Sequence, residues 1–166
     1  MKRILMLMAM TLGLALISGC EKPAPTPDPE PKPEPPQPVL QSFEVAVNAV
    51  TETSMTYTVT PSVLDQEYIA VVKTKESLAA LQDEQIVEAV FEDIKAAAAS
   101  SGITFNEKMA AIAAKGVSEN VEITGLAVDT EYSLVVFGVD PSKDWEYTTF
   151  PVVKDFKTNA VEVVEY

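Results

Sequence analysis

Residues 126 to 140 read LAVDTEYSLVVFGVD. From Glu131 to Asp140 the stretch has strand spacing, and Leu126 to Thr130 lead into it as a turn. Working outward, Val121 and Ile123 carry the same spacing just upstream, and a last strand is expected between Tyr147 and Thr158. Nearer the start, Phe43, Val45 and Val47 alternate with polar neighbours, and after the turn-like TETS so do Met55, Tyr57 and Val59. Pro61 stops that strand, and YIAVVK (68–73) forms a third. Alternation of this kind predicts a mainly β chain whose antiparallel strands each bury one face.

Between these strands the period changes. From Asp83, read as an N-cap, apolar residues fall at Ile86, Val87, Val90, Phe91 and Ile94. Ala96 to Ala99 extend this helix, which ends near Gly102. A second helix opens with the capping box Thr104 to Glu107, carries Phe105, Met109 and Ile112 on one face, and ends near Gly116. The helical insert therefore spans roughly residues 76–116.

The leucine, turn, threonine and tyrosine of Leu126 to Tyr132 resemble the turn into strand F of fibronectin type III domains. The resemblance implies an immunoglobulin/fibronectin type III-like sandwich over residues 39–166, with a two-helix insertion between strands C and E. It makes Tyr132 a corner residue, its ring buried and its hydroxyl bonded back to the turn, with Leu126 packed in the core and Thr130 holding the pattern's threonine. Val59 stands near the place of the tryptophan usual in strand B, and the turn lacks the family's proline. The inserted helices are expected to cover an open strand edge. In such a sandwich the N-terminus and the loop between strands F and G share one end.

The N-terminal region carries a different message. Lys2 and Arg3 precede a largely apolar run from Ile4 to Ile17, too short to span a bilayer and of the length of a signal-peptide core. It ends in Ile17-Ser18-Gly19-Cys20, which resembles the lipobox of bacterial lipoproteins. By that resemblance residues 1–19 are a signal peptide and Cys20 takes a diacylglycerol, a membrane anchor made firm by further acylation. Cys20 is the only cysteine, so no internal disulfide can form. Nine of the twelve prolines lie between Pro23 and Pro38. Residues 20–38 thus form a lipidated cysteine and Pro-rich linker that reaches roughly 50 Å as polyproline II. The arrangement as a whole resembles small envelope lipoproteins of Bacteroides and its relatives, which implies an outer-membrane lipoprotein facing the periplasm or the outside.

The formal net charge is −13, and −15 once residues 1–19 with Lys2 and Arg3 are removed; what is left has neither arginine nor histidine. Such a surface disfavours nucleic acid, which clustered cations would have to bind. Triads, zinc sites and phosphate clamps lack their side chains, so no catalytic residue, metal or cofactor is expected. Glu88 and Glu92 share a helix face and leave a carboxylate-dependent hydrolase as a remote alternative. The expected role is a non-enzymatic adhesion, scaffold or accessory binding module with a protein or glycan partner. Its ligand candidates lie in DPSKDWEYTTF (140–150), where Trp145 and Tyr147, two apart on an extended strand, would share one side beside Asp144. As a glycan-binding module the chain would use that aromatic pair as its platform. The alternative is that Trp145 and Tyr147 simply close the open end of the sandwich or pack under the helices, since large aromatics are mostly buried. Asp140, Asp144 and Glu146 could also offer oxygen ligands to calcium, at a spacing that matches no calcium loop.

Overall fold

The computed structural model describes residues 41–161, which all fall within one compact unit. The expected signal peptide, Cys20 and the expected Pro-rich linker lie outside the described residues. Two antiparallel sheets and three helices make the chain mainly β. The first sheet has the order β1-β2-β5, from β1 (Phe43–Val50), β2 (Ser54–Pro61) and β5 (Ser118–Thr124). In the second, β3 (Glu67–Thr74) and β6 (Glu131–Asp140) pair along their full length. β4 (Ala114–Lys115) pairs with one end of β3, while β7 (Glu146–Tyr147) and β8 (Val152–Lys157) pair with β6.

Alternate side chains of both sheets meet in one core. Met55, Tyr57 and Val59 from β2 pack with Tyr68 of β3 and with Leu134 and Val136 of β6, all buried. Each such side chain removed from water contributes about 1.5–3 kcal/mol. Gly116, at φ +71°, lets the chain pass from β4 in one sheet to β5 in the other. The Tyr68 hydroxyl fastens this crossing, 2.6 Å from Ser118 Oγ and 3.1 Å from the Gly116 carbonyl.

The insert has three helices where two were expected, because a one-turn helix, α1 (Lys75–Leu78), follows β3 directly. The cap of α2 (Asp83–Ser101) lies one residue earlier than predicted: Gln82, not Asp83, is the N-cap, and the Gln85 side chain accepts from its N–H at 2.9 Å. Gly102, left-handed at φ +69°, ends α2. α3 (Phe105–Ile112) has the predicted capping box at Thr104 and Glu107, then stops short of Gly116 because β4 begins at Ala114.

The helices do not cover a strand edge. They cover the outer face of the second sheet, where Ile86, Val87, Val90, Ile94 and Met109 pack on Ile69, Val135, Phe137 and Val139. Phe91 bridges the layers edge-on, with ring centroids 5.6 Å from Phe137 and 5.9 Å from Phe105. β6 is therefore buried on both faces, without a break from Tyr132 to Val139.

Candidate functional site

The turn into β6 has the local geometry expected of it. Tyr132 is buried, its ring stacks on Phe156 at 5.7 Å, and its hydroxyl accepts the Ala127 N–H at 2.9 Å. Leu126 is half-buried against the core shared by the two sheets. Thr130 donates its hydroxyl to the Val128 carbonyl at 2.8 Å, and its N–H reaches Thr158 Oγ1 at 2.9 Å. Thr158, a buried polar residue that the sequence did not single out, also donates to the Ala127 carbonyl at 2.6 Å and so ties the end of β8 to the turn. These contacts make a structural corner, beside which Thr74, Glu76, Asp129, Thr130, Glu131 and Lys157 line a polar surface cleft.

At the opposite end lie the start of β1 and the connection from β6 to β8. Gln41 packs against Gly138 of β6, so the chain enters beside that connection, as the sandwich resemblance implied. A Cβ on Gly138 would come within 2.5 Å of both Gln41 Oε1 and Thr148 Oγ1. Gln41 Oε1 is the one buried side-chain atom without a hydrogen-bond partner among the described residues. A cleft of about 420 Å³ opens here, lined by Gln41, Phe43, Tyr147, Thr149, Phe150 and Val152 among others.

The aromatic pair is not presented as predicted. Asp144 and Trp145 both have positive φ, +54° and +64°, so Trp145 is not on an extended strand and period-two geometry does not apply to it. Its N–H bonds to the Asp140 carbonyl at 3.1 Å, and its ring joins the core beneath the helices, 8% exposed. Trp145 is thus a plug between helices and sheet and offers no ring face to a sugar. Tyr147, at 36%, and Phe150, at 65%, are the exposed aromatics of this end. Asp144 is exposed and lines no cleft with Tyr147.

The loop's carboxylates serve its own backbone. Asp140 Oδ1 accepts from Ser142 Oγ at 2.6 Å and Ser142 N at 2.9 Å, and these bonds hold its pKa below the ordinary carboxylate value, with Lys143 helping. Among the described residues no three acidic or cysteine side chains stand close enough together to hold a metal ion. Glu88 and Glu92 project from the exposed side of α2, Glu92 paired with Lys95 at 2.8 Å, so these two do not form an enclosed carboxylate pair.

Besides Thr158, a second feature was missed by sequence reasoning. Among the described residues the second edge of β3 is unpaired beyond Tyr68, because only Glu67 and Tyr68 have partners in β4. Nothing in a single strand's sequence announces which neighbour will be absent. No known family model matches the chain, and neither does any curated protein.

Proposed function

We propose that the chain is a lipid-anchored cell-envelope protein whose folded part is a fibronectin type III-like sandwich acting as a non-enzymatic adhesion, scaffold or accessory binding module. The Tyr132 hydroxyl bound back to Ala127, on a strand at the centre of one of two facing sheets, is the observation that carries the fold reading. In the letters of that fold, β1, β2 and β5 stand for A, B and E, while β3, β6 and β8 stand for C, F and G, and the helices take the place of the edge strand after C. Ile17 to Cys20 supports the anchor, and the Pro-rich run supports a spacer that holds the module away from an outer membrane. Carboxylates spent on loop and helix contacts, in a chain without histidine or arginine beyond Arg3, support a binding role over a catalytic one. The acidic surface favours a protein or glycan partner over nucleic acid.

The test is fractionation of cells that express the full chain or its Cys20→Ser variant. The parent chain is expected with the membranes and labelled by radioactive palmitate. The variant is expected unlabelled and unprocessed at Gly19. Labelling that survives the substitution would refute the anchor.

A further inference from the structure

We propose that the unpaired edge of β3 is a docking site for an extended peptide segment that adds to the second sheet as a strand. The inference deepens the binding-module reading and rests on it. β3 pairs with β6 from Glu67 to Thr74, but among the described residues its other edge has strand partners only at Glu67 and Tyr68. From Ile69 to Thr74, alternate N–H and C=O groups therefore face outward without a ladder. A groove of about 270 Å³ runs beside this edge, lined by Val71, Val72, Ile94, Ala97, Lys108 and Ile112 among others. Val71 belongs to the helix-side core and Val72 to the sheet-side core. A cavity that touches both must lie at the strand's edge, because successive side chains point to opposite faces.

Charge selects the occupant. Lys73, also in the groove, is already paired with Asp93. Lys108 is half-buried and takes part in none of the ion pairs among the described residues. In a chain of formal charge −13, an ammonium without a partner beside an apolar groove is a local reversal of sign. The fitting segment alternates small apolar side chains, which enter the groove at every second position, with polar ones, and carries one carboxylate for Lys108. More than one would be repelled by the surrounding acids.

The experiment titrates the soluble chain from Glu21 with a seven-residue peptide of alternating valine and threonine with a central glutamate, and reads backbone amide NMR shifts. Saturable shifts confined to Ile69–Thr74 and the α2–α3 groove are expected. Lys108→Glu, or a lysine at the peptide's centre, should weaken binding about tenfold. N-methylation of alternate peptide amides should abolish it, which a merely apolar contact would not show. No saturable binding up to about 1 mM, or binding indifferent to both Lys108→Glu and N-methylation, overturns the proposal. Either failure leaves the anchored-module reading standing, since that is tested separately by palmitate labelling.

Discussion

Replacing Trp145 separates a core plug from a surface platform. An indole buries about 150–250 Å², and at about 25 cal/mol per Å² its removal forfeits roughly 4–6 kcal/mol. Compactness of the unfolded chain lowers that figure, so Trp145→Ala is expected to cost about 3–5 kcal/mol. The backbone adds a second, sharper signature. Trp145 sits at φ +64°, where an alanine Cβ is strained by about 1–2 kcal/mol and glycine is not. Glycine loses about 0.5–1 kcal/mol more backbone entropy than alanine on folding. Trp145→Gly should therefore be as stable as Trp145→Ala or better by up to about 1.5 kcal/mol, the reverse of the order at an ordinary strand position. Urea unfolding followed by far-UV circular dichroism reads both variants without needing the indole. A loss below about 1 kcal/mol for Trp145→Ala, far under the usual cost of emptying a core site, or a glycine variant clearly less stable than the alanine one, would refute the reasoning.

Tyr132→Phe removes the acceptor for the Ala127 N–H and is expected to lower unfolding stability by about 1–2 kcal/mol, measured in the same urea titration. Thr158→Val strips partners from the Thr130 N–H and the Ala127 carbonyl together, for an expected loss of about 1–3 kcal/mol by thermal and urea unfolding. Gly138→Ala drives a methyl against Gln41 and Thr148 and should cost about 1–3 kcal/mol, with amide shifts at both residues. Asp155 accepts from the Ser133 hydroxyl at 2.7 Å and pairs with Lys75 at 3.1 Å, and both hold its pKa below the ordinary value of about 3.9. Since its folded pKa is the depressed one, its contribution is present above the unfolded value and is lost as pH falls through the folded value. Asp155→Asn should therefore be less stable than the parent at pH 7, and the two stability curves should converge below about pH 4.

What could be read in the sequence was local, and what could not depends on distant partners. The stripes of α2 and α3 recur within a turn, so periodicity located them, and the Tyr132 corner closes over five residues, short enough for a local family resemblance to point to it. Trp145 defeated the same logic because two consecutive left-handed residues break the period of two. The helices' place on a face instead of an edge had a signal in Tyr132 to Val139, a run with almost no polar alternation. A strand covered on one side only would alternate, and this one does not because both its faces are buried. The bare edge of β3 had no such signal, since pairing is a property of neighbours far along the chain. Thr158 was hidden for the same reason: its partners at Ala127 and Thr130 are some thirty residues away.

The anchor is the claim on which the functional reading turns, and an intact mass of the protein extracted from membranes tests it most directly. The account predicts a chain that begins at Cys20 and carries a diacylglycerol on its thiol, with further acyl mass on the new amino group. A chain that begins elsewhere, or one that keeps Cys20 as a free thiol and remains soluble, would contradict it.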